Sequence, residues 1–328
     1  IDTFDSLSGV TITDAVAPLD SGNDHITIRA SSPLTVSAGD PVVNNDGGNI
    51  VLAAEGNAAG DDLTLDDNVT ATGGSGNISL YAGDTISLTG TITVSAAGSG
   101  AVLGMAGTNF NDGSPVNGTN AGDVSMADGT TIQSSDGNIT LRAPGNVSLS
   151  IVNANSNSDA ALGDVIVTAD YAGVSGGLSN NTGAISDNLT GEGANITGDQ
   201  VALRAGSGIG DGVAPDDADI DVTINTLAAV TVSGDIHVQD LAGGLTIDTF
   251  DGLSGVTITE PSVEPSTVIS SLASSQTVGE SPEVARSFTV SWTPAAVPPG
   301  THARTWYSFV PPCRSGPVEG RSSPASHV

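Results

Sequence analysis

The sequence predicts an all-β chain, a parallel β-solenoid (β-helix) with a poorly structured C-terminal tail. Three observations carry that reading. Apolar residues alternate with Ser and Thr over long stretches, and pairs of strand-like triplets recur at one internal spacing. The phrase IDTFDSLSGVTIT at residues 1–13 also returns as IDTFDGLSGVTIT at 247–259, with Ser6 against Gly252 as the single difference.

The alternation is clearest in NISLYAGDTISLTGTITVSA, where Ile78, Leu80, Ala82, Ile86, Leu88, Ile92 and Val94 keep a period of two. That period marks strands with one buried face. ITIRASSPLTV (26–36), ISLYAGDTISL (78–88) and ITLRAPGNVSL (139–149) share one plan: a triplet ending at Ala, a three-residue turn, and a second triplet in phase. The leading apolar residues lie eight apart each time, as in Ile26 and Leu34, Ile78 and Ile86, Ile139 and Val147. VALRAGSGI (201–209) begins the same way, and weaker copies start at Ile50, Val124 and Val165. One unit buries too little to stand alone, whereas stacked coils bury a continuous aliphatic column. The Gly-Asn and Gly-Asp pairs in GGNIVLA, SGNISLY, DGNITLR and LGDVIVT are expected to turn the chain between faces, because Gly and Asn tolerate positive φ. Coils of about 20–30 residues at ~4.8 Å make residues 1–259 a rod some 45–60 Å long. A β-sandwich alternates similarly, but the uneven gaps and small core residues favour the solenoid.

Composition narrows the function classes. The chain has 37 acidic residues against seven arginines and no lysine, a formal charge of −30. Clustered cations are what bind phosphates, so nucleic acid and anionic membranes are not expected partners. A hydrophobic content of 38% argues against disorder. No stretch approaches the roughly 18 apolar residues of a membrane span, so no membrane insertion is expected. Cys313 is the single cysteine, which excludes an internal disulfide framework and a Cys-rich zinc site.

After Thr259 the composition changes. Residues 260–286 read as a Pro/Ser/Glu linker. FTVSWTP (288–294) resembles an early strand of a fibronectin type III or similar immunoglobulin-like module. Such sandwiches need about 100 residues, so residues 287–328 are expected to be a truncated start followed by a disordered or aberrant tail.

ITGDQVALRAGSGIGDG, followed by INTLAAVTVSGDIHVQDLAGGLTIDTFDGLSGVTIT, resembles the repeats of bacterial filamentous haemagglutinin-like exoproteins over roughly residues 20–259. The resemblance implies a β-helical adhesin segment, extracellular or at the bacterial cell surface. On that reading the phrase at 1–13 ends one long repeat and 247–259 ends the next, so flanking repeats of the same polypeptide are expected neighbours. Cell-surface glycans or proteins are the expected ligands.

Arg29, Arg142 and Arg204 hold one position in the motif I/V-x-I/L-R-A, and Tyr81 holds it in another copy. Alternation points this position outward, so the four residues are contact candidates for acidic sugars or a partner. The competing reading is ion pairing on a solvated acidic face. Asp61-Asp62, Asp66-Asp67 and the stretch DDADID invite a calcium reading, best at Asp216, Asp217, Asp219 and Asp221, because calcium takes several carboxylate or carbonyl oxygens. Ordinary turn acidity competes here too, and no other cofactor is expected. GSGIGDG (206–212) lacks the following helix that a dinucleotide site needs. His25 and His237 have no nucleophile beside them in sequence. The sequons at Asn68, Asn77 and Asn138 follow from a turn Asn, an inward apolar residue and an outward Ser or Thr. The expectation is a non-enzymatic structural and adhesive segment. The alternative is a carbohydrate-active β-helix enzyme, a polysaccharide lyase or glycosidase.

Overall fold

The computed structural model describes residues 9–12, 23–31, 33–111, 114–116, 122–171, 178, 181–210 and 218–259. By internal contacts the chain divides into Ile1–Ser266 and Thr267–Val328. The expected linker and truncated sandwich lie outside the described residues. Among the described residues no helix is long and apolar enough to cross a membrane.

The described part of the first unit is a parallel β-solenoid with three faces, visited in turn by each coil. The first face stacks Ile26–Ala30, Ile50–Ala54, Ile78–Ala82, Val102–Met105, Ile139–Arg142, Val165–Thr168, Gln200–Ala205 and Thr226–Thr231. Its ninth rung is split between Thr246–Ile247 and Val256–Ile258, which pair with opposite ends of Thr226–Thr231. The second face runs in seven rungs from Leu34–Val36 to Gly208–Ile209, and the third in nine from Val10–Ile12 to Val238–Asp240. The motif seen in sequence is therefore a first-face strand, a tight corner and a second-face strand. Val124, read as a weak copy of the motif's start, instead begins the second-face strand Val124–Met126.

Nine rungs at ~4.8 Å make a stack about 40 Å long, shorter than the rod expected from coil length alone. The shortfall comes from excursions that use residues without adding a rung. Asn109–Asn111 pairs antiparallel with Ser114–Val116, Tyr171 bridges Leu178, and Thr249–Phe250 pairs antiparallel with Leu253–Ser254.

Inside, the register builds columns of like side chains. Ile50, Ile78, Val102, Ile139, Val165 and Val201 form one, and Leu52, Leu80, Leu141, Val167 and Leu203 sit in the next. All are buried, and burying one such side chain contributes about 1.5–3 kcal/mol.

The corner before the first face explains the Gly-Asn and Gly-Asp pairs, though not by the expected route. Gly48, Gly76, Gly137 and Gly163 are not at positive φ. They are glycine because successive coils touch there. A Cβ on Gly76 would lie 2.1 Å from the Gly48 carbonyl oxygen, and one on Gly137 or Gly163 would lie 2.2 Å from the oxygen of Gly100 or Gly137.

The residue after each glycine links the coils. Asn77 N–H donates to Asn49 Oδ1 at 2.9 Å, and Ala101 N–H donates to Asn77 Oδ1 at 2.8 Å. Asp164 N–H donates to Asn138 Oδ1 at 2.9 Å, and Gln200 N–H to Asp164 Oδ1 at 3.3 Å. A second such chain precedes the second face, running from Thr85 N–H to Asp62 Oδ1, Asp123 N–H to Thr85 Oγ1, Asn146 N–H to Asp123 Oδ1 and Ala184 N–H to Asn146 Oδ1. These corners expose backbone donors that the ladder leaves unpaired, and a side chain of the preceding coil, most often an Asp or Asn oxygen, accepts them.

Candidate functional site: an outward column on the first face

The four outward candidates fall in one register column. Arg29 lies opposite Ala53, Ala53 opposite Tyr81, Tyr81 opposite Met105, and Met105 opposite Arg142. The column continues through Thr168, Arg204, Val230 and Thr257. The large side chains Arg29, Tyr81, Arg142 and Arg204 therefore occupy alternate rungs, ~9.6 Å apart at two rung spacings.

The corners leaving this face alternate in step. Short turns follow Ala30, Ala82, Arg142 and Ala205. Long excursions follow Ala54, Met105 and Thr168, whose chains next reach the second face at Leu63, Val124 and Ala184. The arginines reach across coils to such excursions. Arg29 Nε donates to Glu55 Oε1, and that hydrogen bond pushes the guanidinium pKa up. The Arg142 guanidinium stacks 5.1 Å from the centroid of the Tyr171 ring, a cation–π contact. Arg204 donates to Asp251 Oδ2 at 2.6 Å and to the Asp251 carbonyl oxygen, holding the hairpin Thr249–Ser254 down. The Arg204 side chain is only 12% exposed against 44% for Arg29, so the Arg204 pair is less screened by water.

This leaves a central strip of Tyr81, Met105 and Arg142, all half-buried. Among the described residues Arg142 makes no ion pair with a carboxylate. An aromatic ring, a thioether and a cation in one column form a mixed contact surface.

The acidic clusters are mostly bound up in backbone contacts. Asp61 Oδ2 accepts from Ala58 N–H at 2.7 Å, Asp67 Oδ2 from Gly39 N–H at 2.6 Å, and Asp66 Oδ1 from the Thr89 hydroxyl. Asp128 accepts from Thr190 N–H across 2.9 Å, which draws its pKa down. Asp216 and Asp217 lie outside the described residues. Asp219 is half-buried at a bend, while Asp221 is buried in the third-face strand Ile220–Thr223, where its N–H donates to Asn195 Oδ1 at 2.8 Å. Among the described residues no group of three or more His, Cys, Asp and Glu side chains converges as metal ligands do.

His25 Nδ1 accepts from Asn49 N–H at 2.9 Å, so this histidine is the first acceptor of the corner chain. His237 Nε2 lies 3.8 Å from Asp235 Oδ2 in an exposed pair. Gly208–Ile209, in the middle of GSGIGDG, is a second-face strand. A groove of about 260 Å³ runs along the corner between the third and first faces, lined by Asn155, Leu162, Thr197, Thr223, Ile224 and Asn225 among others. It is smaller than the ~300 Å³ at which small-molecule sites begin, and its walls carry no titratable side chain for acid–base work.

Sequence reasoning found the column but missed what the arginines touch. Glu55, Tyr171 and Asp251 lie on other coils, and no local pattern signals them. Compared with protein-family models, curated proteins and solved structures, the chain matches none.

Proposed function

We propose that this chain is a non-enzymatic structural and adhesive segment of a large secreted or surface-exposed bacterial repeat protein, of the filamentous haemagglutinin-like kind. Its coils serve as a stiff stalk, and the outward column is the surface offered to cell-surface glycans or proteins. The observation that carries the reading is where the polar side chains go. Corner Asp and Asn residues link coil to coil, and arginines pin excursions to the stack, so the chemistry serves continuity of the rod. The strip of Tyr81, Met105 and Arg142 is the place for a sugar ring and an acidic substituent, by stacking and charge.

The test is to incubate the chain with a panel of immobilised and soluble acidic polysaccharides, reading retention and chain cleavage separately. Retention that weakens about tenfold in Arg142→Ala, with no new reducing ends or unsaturated uronates, is expected. Sustained cleavage at a rate above the protein-free control would overturn the reading in favour of a β-helix lyase or glycosidase.

A further inference from the structure

The corners that join the third face to the first differ in length from coil to coil. Residues 198–199 and 224–225 make two short corners in successive coils. The coil before them turns through residues 154–164, and the coil after them through 241–245. Two short corners between two longer ones leave a saddle, whose walls stand three rung spacings apart, ~14 Å. This is the groove of about 260 Å³, with Asn155 and Leu162 on one wall and Ala242 and Gly243 on the other. Its floor stays low at Gly198, where a Cβ would lie 2.8 Å from the Gly163 carbonyl oxygen.

The lining selects a kind of ligand. Thr197 and Thr223 are register partners on adjacent rungs, each just past a residue, Ile196 or Val222, that is buried in the core. Their side chains therefore face the groove, and among the described residues neither hydroxyl makes a hydrogen bond. Asn225 Nδ2 donates to Asp199 Oδ1 at 2.9 Å, which leaves the Asn225 amide oxygen to accept. Asn155 Oδ1 is buried with no hydrogen-bond partner, a cost that a donor on a ligand would remove. A turn of the Asn155 amide about its Cβ–Cγ bond brings that oxygen to the groove. Leu162 and the buried Ile224 supply apolar contact between these polar groups.

No titratable side chain lines the groove. The carboxylates of the same corners already accept hydrogen bonds: Asp164 from Gln200 N–H at 3.3 Å, Asp199 from Asn225, and Asp240 from Gly244 N–H at 3.1 Å. An amine thus finds no carboxylate in the lining. An anion meets no cation there, and a chain with a formal charge of −30 repels it. A purely apolar ligand would bury the threonine hydroxyls unpaired. A neutral ring bearing several hydroxyls satisfies all of these constraints.

We infer that this corner groove is a binding site for a neutral sugar ring, a pyranose of a glycan, held by Thr197, Thr223, Asn155 and Asn225 and packed on Leu162 and Ile224. The volume takes one ring and falls short of a drug-sized ligand. The site goes beyond the glycan-contact reading, which rests on the first-face strip of Tyr81, Met105 and Arg142 and on acidic sugars.

The test titrates the full, isotope-labelled chain with the methyl glycosides of glucose, galactose, mannose and N-acetylglucosamine. Glucuronic acid and glucosamine serve as the acidic and amine probes. A ring with so few atoms binds with a Kd on the order of 1 mM, so the titration runs well above that. At least one neutral glycoside should shift the amide resonances of Gly198, Thr223, Ile224 and Asn225 to saturation, with both charged probes at least tenfold weaker. Thr197→Val with Thr223→Val keeps both β-branched shapes and removes both hydroxyls, and should raise Kd at least tenfold. Thr140→Val, outward on an interior first-face rung, should leave Kd unchanged. The resonance map of the unsubstituted chain stands whether or not the double variant folds. Absence of a saturable shift at these amides with every neutral glycoside overturns the inference. So does binding of either charged probe at equal strength, or a folded double variant that binds as before. The strip is tested with acidic polysaccharides and Arg142→Ala, so failure at either place leaves the other standing.

Discussion

The interior rung Ile139–Arg142 and the terminal rung Thr246–Ile258 carry similar apolar residues in the same register columns, yet only one of them is buried. Leu141 is 0% exposed and Val256 is 41% exposed, although both stand in the column that runs through Leu80, Leu203 and Ala229. Burial in this molecule is set by having a neighbour on both sides, so stability is close to a sum of coil-to-coil terms. The sharpest test of that comparison is one truncation made twice. Leu141→Ala should cost about 3–5 kcal/mol in denaturant unfolding, as buried leucines do. Val256→Ala should cost less than about 1 kcal/mol in dilute solution. Equal costs at the two sites would break the comparison.

Glycines divide along the same line. At Gly137 an added Cβ would lie 2.2 Å from the Gly100 carbonyl oxygen, so Gly137→Ala must push two coils apart. The expected loss is about 2–3 kcal/mol, the range of overpacked cores. Near the terminal end, Gly243 has a φ of +105° and nothing within 4 Å of an added Cβ. Gly243→Ala should cost about 1 kcal/mol through backbone strain alone. Thermal melts of the two variants side by side would separate inter-coil crowding from local conformational strain.

How much of this was legible beforehand depends on distance along the chain. The first-face and second-face strands were readable in the coils where a tight corner joins them, so Ile26 and Leu34 keep a fixed spacing, while Val124, beyond a long excursion, was not placed. The third face was read only at Ile92 and Val94, beside and within Thr93–Ala96, because its strands follow corners of varying length, as Val42–Asn44 and Ile196–Thr197 do. Alternation placed Arg29, Tyr81, Arg142 and Arg204 in one outward position. Their partners were invisible because Arg204 and Asp251 meet across 47 residues. The corner glycines were recognised but misread, because the contact that requires them comes from the preceding coil and not from local backbone geometry.

The corner acceptors should show a smaller effect of the same origin. Asn77 Oδ1 accepts the Ala101 N–H at 2.8 Å in the middle of the stack. Asn77→Ala removes that acceptor and should cost about 1 kcal/mol, the net worth of such a hydrogen bond. Asn77→Asp keeps an acceptor oxygen and should recover most of it at neutral pH. Equal losses in the two variants would show that the acceptor oxygen is not what matters there.

Asp164 offers the smallest effect and the one with a definite sign. It occupies the corner position held by Asn49, Asn77 and Asn138 in other coils, and its Oδ1 accepts the Gln200 N–H at 3.3 Å. Partial burial raises its pKa above the ordinary 3.8, the Gln200 hydrogen bond opposes that, and the neighbouring charge of Asp199 adds to it. A carboxyl with a raised folded pKa binds its proton more tightly folded than unfolded, so its ionisation costs stability. That cost is absent below 3.8, develops as pH rises toward the folded pKa, and is full above it. Asp164→Asn keeps the acceptor and removes the charge. It should therefore raise the melting temperature at pH 7, by no more than about 2 °C for a domain of this size, because the side chain is half-exposed and its charge is screened by water. The gain should shrink as the pH is lowered and vanish below 3.8. A gain that persists in acid would mean that the carboxylate charge is not its source.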